Sequence, residues 1–342
     1  MGYTTNATIE SLAAELRGAR RAFVTTHAKP DGDAMGSVLA VVRACRAIGT
    51  EADGVVVDPC EGNIRAFEGP TPVLHVDPRR PELPEAGYDL AVVLDTGAWT
   101  QLEAVSPLLR GLEGRVIGLD HHARGDAVAA RRVVEVGCGS CTALVVRLVD
   151  ALGVPIGFGS DADGRYSIAE ALYMGLATDT GWFRFQNARA AEFALASRLL
   201  EAGVDKDSMY QQLEQSSRAE RVELQARALS SLEIVASGRA ALMVLSAADF
   251  DDLGALLEET SGIVNMPMEI AQVRVSALVV EDSQAGVVKI SFRSKPADVD
   301  GAFIDVNELA ARFGGGGHAH AAGAKQRGAL AEVVDRVRAA LG

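Results

Sequence analysis

Arg21-Ala22-Phe23-Val24-Thr25-Thr26-His27-Ala28-Lys29-Pro30-Asp31-Gly32-Asp33-Ala34-Met35-Gly36-Ser37 is the stretch on which the fold turns. Arg21 to Thr26 has the β-branched, apolar character of a strand buried in a parallel sheet. From Met35 to Ile48 the apolar residues recur at helical spacing, predicting an amphipathic helix. Between strand and helix lie three side chains of metal-ligand type, His27, Asp31 and Asp33. Pro30 and Gly32 predict a tight turn that carries them. Gly36 and Ser37 then open the helix, with amides suited to an anion. Taken alone, Asp31-Gly32-Asp33 also fits a solvated turn. An EF-hand is excluded, because the glycine is misplaced and no terminal glutamate follows.

Working outward, Gly54 to Val57, Leu90 to Leu94 and Arg115 to Leu119 are further short β-branched runs. Strands that alternate with helices imply an α/β domain with a doubly wound, mainly parallel sheet. Ligands of such sheets collect at the carboxyl ends of the strands. His27, Asp95 and Asp120 each follow a predicted strand, so the pattern places all three at one crevice. Ile168 to Leu176 and Ala188 to Glu201 read as helices. Residues 204–235, polar with apolar residues at helical spacing, read as a helical linker. Arg239 to Leu245, Val273 to Val280 and Val287 to Phe292 are strands of a smaller α/β domain that ends in the helix Ala329 to Leu341. The expected organisation is therefore 1–203, 204–235 and 236–342.

A chain of 342 residues with 48% hydrophobic and 23% charged residues builds a substantial core and is long enough for two domains. Its net charge of -13 and pI near 5.0 argue against gripping long nucleic acid over a broad surface. Short nucleotides remain compatible, because bound divalent cations supply local positive charge. No apolar run is long enough for a membrane span, and Met1 to Glu10 lacks the pattern of a signal peptide. A soluble cytoplasmic protein is the expectation. Four cysteines, Cys45, Cys60, Cys138 and Cys141, are too few and too irregular for a disulfide framework. The Cys138-Gly139-Ser140-Cys141 pair reads as small residues opening a helix through Thr142 to Val146 rather than as a zinc or redox motif.

Asp120-His121-His122 adds two histidines directly after a strand. Adjacent histidines cannot face the same way, so one suits a metal while the other faces substrate or supports the ligands. A surface loop is the plainer alternative. Asp95 and Asp179 bring the carboxylates to four, matching two divalent cations, although Asp179 also fits a helix cap. The mixed nitrogen and oxygen set favours manganese over magnesium or iron. His75 lies outside these motifs and is assigned to structure or surface.

With these motifs in place, the chain closely resembles the DHH phosphoesterase superfamily, in the branch carrying the DHH-associated C-terminal domain. The resemblance runs over nearly the full length. It rests on HAKPDGDAMGS (27–37), Asp95-Thr96-Gly97, Asp120-His121-His122, Ala177-Thr178-Asp179-Thr180-Gly181 and GGGGHAHAAG (314–323). It implies that His27, Asp31 and Asp95 hold one metal. Asp33, Asp95, His121 and Asp179 would hold a second, with Asp95 bridging. It also places His122 beside the scissile phosphate. Arg293 and Ser294, together with Gly315, Gly316, Gly317 and His318, look like the family's substrate-binding residues. Consecutive glycines let backbone amides approach a phosphate, and arginine offers a forked cationic donor. The segment Lys295 to Phe303 is slightly expanded against the family's usual spacing.

The implied activity is hydrolysis of short oligoribonucleotides to mononucleotides, with 3′-phosphatase action on pAp, using two divalent cations, manganese foremost and magnesium second. Asp95 and His122 carry the catalysis, His122 by stabilising or protonating the leaving oxygen. A linear or cyclic dinucleotide phosphodiesterase of the same superfamily is one alternative, and a catalytically weak nucleotide-binding regulator another. The partners expected are short RNA or a nucleoside bisphosphate, with no long nucleic acid and no membrane; a homodimer is left open.

Overall fold

The computed structural model describes residues 3–84, 87–159, 165–282, 286–297 and 303–342. The backbone divides into two compact units, Met1–Ser216 and Ser217–Gly342.

The first unit runs α1 (Ile9–Gly18), β1 (Arg21–Thr25), α2 (Gly32–Ala47), β2 (Glu51–Val57), α3 (Gly62–Arg65), β3 (Val73–Val76), β4 (Leu90–Leu94), α4 (Ser106–Gly111), β5 (Val116–Asp120), β6 (Arg131–Val134), α5 (Thr142–Leu152), α6 (Ile168–Asp179), α7 (Ala190–Glu201) and α8 (Lys206–Glu214). Its six strands pair in parallel in the order β3-β2-β1-β4-β5-β6. Successive side chains of a strand leave on opposite faces. Ala22 and Val24 of β1 therefore join the core under α1, α2, α5 and α6, and Phe23 joins a second core with Val55, Val93 and Leu109. Both faces are covered, which explains the unbroken apolar runs. The order reverses between β1 and β4, and the crevice beyond their carboxyl ends is the switch point where such sheets bind ligands. His27 follows β1 and Asp95 follows β4.

The expected turn before α2 is instead the first turn of the helix itself. Asp31 is its N-cap and accepts the amides of Asp33 (3.1 Å) and Ala34 (3.0 Å), so these donors serve a carboxylate of the chain. Capping the orphan amides with an aspartate outcompetes the turn geometry that Pro30 and Gly32 suggest. Gly36 marks no anion site. A β-carbon there would lie 2.3 Å from the Ala171 carbonyl oxygen, and one at Gly32 would lie 2.3 Å from Thr178 Oγ1. The two glycines let α2 press against α6.

The second unit runs α9 (Ala219–Ser230), β7 (Glu233–Val235), β8 (Ala240–Leu245), α10 (Ala247–Leu253), β9 (Val275–Asp282), β10 (Val287–Ser294), α11 (Val306–Ala311), β11 (Gly316–His318), β12 (Ala321–Gln326) and α12 (Leu330–Leu341). Its sheet has the order β11-β12-β10-β9-β8-β7 and is antiparallel except for the β8–β9 pair. Along β10 burial alternates, with Val288, Ile290 and Phe292 turned to a core shared with α11 and α12. Leu224 and Ala228 of α9 cover the opposite face with Met243, Leu278 and Val280. The stretch read as a linker, 204–235, contains α8, the division at 216/217 and α9. Residues 298–302, within the segment expected to be expanded, lie outside the described residues.

Candidate metal centre

Six side chains from five places in the first unit converge on the switch point. His27 sits just beyond β1, Asp31 and Asp33 at the start of α2, Asp95 after β4, His121 after β5, and Asp179 ends α6. His27 Nε2 lies 3.8 Å from Asp31 Oδ1 and 3.5 Å from Asp95 Oδ2. His121 Nε2 lies 3.3 Å from Asp95 Oδ1 and 3.8 Å from both Asp33 Oδ2 and Asp179 Oδ2. Two groups, His27–Asp31–Asp95 and Asp33–His121–Asp179, have ligand atoms close enough together to hold an ion each, and Asp95 reaches toward both histidines. The sequence-predicted metal residues are thus brought together.

The residues fit divalent cations on three grounds. Asp95 Oδ1 and His121 Nε2 are buried yet make no hydrogen bond, and such orphans in a native interior need a reason. Both histidines have Nδ1 tied to a backbone carbonyl, His27 to Ala28 (3.1 Å) and His121 to Cys138 (3.3 Å), which leaves Nε2 facing the carboxylates. That is the usual orientation of a metal-ligating imidazole. Finally, the carboxylates crowd one another. Burial, reinforced by Asp95 and its neighbours, pushes Asp33 well above the ordinary range and Asp179 up to about 6. Burial also opposes ionisation of Asp95, but His121 and His27 outweigh it and bring Asp95 down to about 2. The same pairs overcome burial at the imidazoles, raising His27 to about 9 and His121 to about 10. A divalent cation relieves the carboxylate repulsion that these shifts record.

Local structure fixes the candidate ligands. Asp95 has φ +59°, a left-handed conformation that aspartate tolerates better than most residues. Asp33, 1% exposed, accepts the amides of Cys141 (2.6 Å) and Thr142 (2.9 Å) at the start of α5. One carboxylate therefore both caps that helix and faces His121. The Cys138-to-Cys141 segment is the helix opening expected from its small residues; Cys141 is buried and all four cysteines are free.

Asp120, expected to face the crevice, supports it from behind. Its Oδ1 accepts both the amide of His122 (3.0 Å) and His122 Nδ1 (2.8 Å). His122, with its side chain 38% exposed, also brings Nδ1 to 3.7 Å from Asp95 Oδ1. Asp95, His121 and His122 form a third group with metal-compatible spacing, but the Asp120 bond engages the Nδ1 through which His122 approaches. Hydrogen bonding to Asp120 raises the His122 pKa. Two further residues lie outside the sequence reading. Asn187 Nδ2 donates to the Asp179 carbonyl (3.1 Å), to Asp179 Oδ2 (3.4 Å) and to the Gly139 carbonyl (2.8 Å). Tyr3 donates its hydroxyl to Asp120 Oδ2 at 2.6 Å. No short motif announces either one.

In the second unit, Arg293 lies on β10 opposite Ala321 of β12, and burial lowers its pKa. Ser294 Oγ lies 3.0 Å from His320 Nδ1. The glycine run has a packing reason that the sequence did not disclose. A β-carbon at Gly315 would stand 2.1 Å from the Gly323 carbonyl oxygen, and one at Gly317 2.5 Å from that of Ala321. Two of the amides expected to approach phosphate have partners within the unit, Gly315 with the Ala310 carbonyl (3.0 Å) and Gly317 with Asn307 Oδ1 (2.9 Å). Close apposition to β12 explains the two glycines, and α11 supplies the partners of their amides. His318 ends β11, and its side chain lies outside the described residues.

The DHH family N-terminal domain model matches residues 21–176, and the DHHA1 domain model matches residues 243–342. The chain carries a DHH family N-terminal domain and a DHHA1 domain. Its matched regions take in every candidate ligand of the centre except Asp179, which ends α6 three residues beyond the first match. This DHH chain is 29% identical over 306 residues to the bifunctional oligoribonuclease and PAP phosphatase NrnA of Thermus thermophilus, covering 90% of this chain and 84% of that one. It is 24% identical over 298 residues to the protein of the same name from Bacillus subtilis, covering 87% of each. Among solved structures, an exopolyphosphatase-related protein from Bacteroides fragilis superposes with a TM-score of 0.85 at 25% identity, covering 97% of this chain and 95% of that one. RecJ of Thermus thermophilus in complex with manganese shares the fold, with a TM-score of 0.52 at 15% identity over 97% of this chain and 54% of that one. No helix among the described residues is long and apolar enough to cross a membrane.

Proposed function

We propose that this DHH protein hydrolyses short oligoribonucleotides to mononucleotides and removes the 3′-phosphate of pAp, with two manganese ions as the favoured metals. The observation that carries the reading is the division of the Asp95 carboxylate, Oδ2 toward His27 and Oδ1 toward His121. A bridging ligand between two metals needs that arrangement. The substrate class is taken from the two NrnA relatives, whose names state both activities.

His27, Asp31 and Asp95 would hold one ion; Asp33, Asp95, His121 and Asp179 would hold the other. When bound, the pair activates water at neutral pH and offsets the charge that develops on phosphorus. The chain itself contributes position and a proton. Asp120 accepts the Nδ1 proton of His122 and favours the charged imidazole, which leaves the Nε2 proton to be donated to the departing oxygen. Arg293, with its forked donors, would bind a phosphate of the substrate, with Ser294, Gly315 to Gly317 and His318 as the other substrate-binding candidates.

The test compares a diribonucleotide, pAp and a cyclic dinucleotide as substrates, each with manganese and with EDTA. Manganese-dependent release of mononucleotide and of AMP is expected. Absence of turnover on the linear dinucleotide and pAp overturns the proposal, and faster cleavage of the cyclic dinucleotide moves the activity to that substrate.

A further inference from the structure

Residues 3–6 lie along the edge strand β6 and are fastened to it by side chains. Thr5 Oγ1 donates to the Val134 carbonyl and accepts the Val134 amide, both at 2.8 Å. Asn6 Nδ2 donates to the Ala130 carbonyl at 2.9 Å, and Asn6 Oδ1 accepts the Arg132 amide at 2.8 Å. This strap covers an edge that would otherwise offer unpaired backbone groups, and it delivers Tyr3 to the back of the metal centre.

The fit at Tyr3 is close on both sides. A β-carbon at Gly97 would lie 2.3 Å from the Tyr3 Cζ and Oη, and one at Gly125 would lie 2.8 Å from Cζ. The ring therefore fills the space beside the loop that carries Asp95, with the Arg132 guanidinium 5.5 Å from its centroid. Its hydroxyl meets Asp120 Oδ2 at 2.6 Å, while the other oxygen of that carboxylate holds His122. Asp120 is 1% exposed, so without Tyr3 its Oδ2 loses, in a buried place, the hydroxyl that satisfies it.

We infer that Tyr3 is a positioning residue: its hydroxyl pins the Asp120 carboxylate, and through it fixes the ring of His122 against the reacting phosphate. The inference rests on the reading that His122 faces substrate. A carboxylate held at both oxygens has one orientation, and an imidazole bonded to it at Nδ1 keeps Nε2 in one direction. A carboxylate held on one side can rotate, and the imidazole follows it. Errors of an ångström at a reacting group are costly to rate.

Tyr3→Phe removes the hydroxyl and keeps the ring between Gly97 and Gly125. The expected result is a kcat lowered about tenfold with KM unchanged, since the loss falls on the chemical step. A second readout needs no turnover. In the metal-free protein, the Nδ1 proton of His122 bonded to a carboxylate gives a far-downfield proton resonance, assigned by its loss in His122→Asn. In Tyr3→Phe that resonance broadens or moves. Thr5→Val serves as a control, cutting the strap's bonds to Val134 without touching the Tyr3 hydroxyl, and it is expected to lower thermal stability while leaving kcat alone.

An unchanged His122 resonance in Tyr3→Phe overturns the inference. So does a Thr5→Val loss of kcat equal to that of Tyr3→Phe, because docking of the strap, and not the hydroxyl, is then what matters. A moved resonance with wild-type kcat removes His122 from the chemistry and leaves Tyr3 no catalytic consequence. If the wild-type protein hydrolyses none of the nucleotides offered, the failure belongs to the proposed activity, and the resonance still decides whether Tyr3 fixes His122.

Discussion

A β-carbon placed on Gly175 would lie 2.7 Å from Asp33 Oδ1, so the missing side chain at Gly175 of α6 is the room in which the Asp33 carboxylate stands. The same β-carbon would meet Thr142 Cγ2 at 2.4 Å. Helix α6 thereby admits a candidate ligand from α2 while carrying another, Asp179, one turn further along.

Gly175→Ala is expected to weaken manganese binding far more than it weakens the fold. Overpacking of this kind costs about 1–3 kcal/mol, but the displaced carboxylate belongs to the centre. Calorimetric titration of the metal, set beside the thermal midpoint in EDTA, separates the two effects. Wild-type metal affinity in the variant would show that Asp33 is no ligand.

Asp95→Asn and Asp95→Ala should both abolish hydrolysis, since neither supplies an anionic bridge. They should differ in stability. Asn tolerates the left-handed backbone at this position, whereas alanine there costs about 1–2 kcal/mol. Melting curves in EDTA are expected to place the Asn variant above the Ala variant. Retained turnover in either one contradicts the bridging role.

His75 gives a pH dependence independent of metal. Its imidazole lies 2.8 Å from both Glu68 Oε1 and Asp58 Oδ1, and its pKa is raised chiefly by the hydrogen bond to Glu68. A raised folded-state value stabilises the protein fully below the ordinary histidine pKa, and that contribution is lost as pH rises through the folded value. His75→Gln keeps neutral hydrogen bonding and loses the charge. Its melting temperature should fall below wild type by about 2–4 °C at pH 6, and the gap should close under alkaline conditions. A gap of constant size would refute the linkage.

Arg293→Ala should raise KM by about tenfold or more, in keeping with loss of a charge-assisted pair, and leave kcat near wild type. His318→Ala should act in the same direction. Initial rates on pAp and a diribonucleotide measure both. A loss confined to kcat would move these residues from substrate binding to the chemical step.

The parallel strands were legible because a strand covered on both faces is an unbroken β-branched run, as in Leu90–Leu94. Strand β3 was not, since Leu74 and His75 are not fully buried and the run is four residues long. Strand β6 begins with two arginines, which hide its edge position. The candidate metal ligands, which the structure brings together, were legible because their side-chain chemistry is distinctive. Tyr3 acts through one hydrogen bond to Asp120, 117 residues away, and Asn187 through bonds to Asp179 and Gly139, and no local pattern encodes such contacts. The start of α2 was misplaced because Asp31 is an N-cap, and its sequence setting shows a candidate ligand before it shows the cap. In the glycine run, Gly315 and Gly317 answer first to the neighbouring strand.

Because the sheet order reverses between β1 and β4, His27 and Asp95 become neighbours only after β2, α3 and β3 have been passed. Asp179 comes later still, from a helix that must dock on α2. Closing contacts so far apart in sequence is slow and late in folding. A fragment of the first unit that ends before α6 therefore lacks Asp179 and can form only part of the candidate centre. The six side chains come together only when α6 has docked on α2 and set Asp179 beside His121, so a chain still being synthesised carries an incomplete centre.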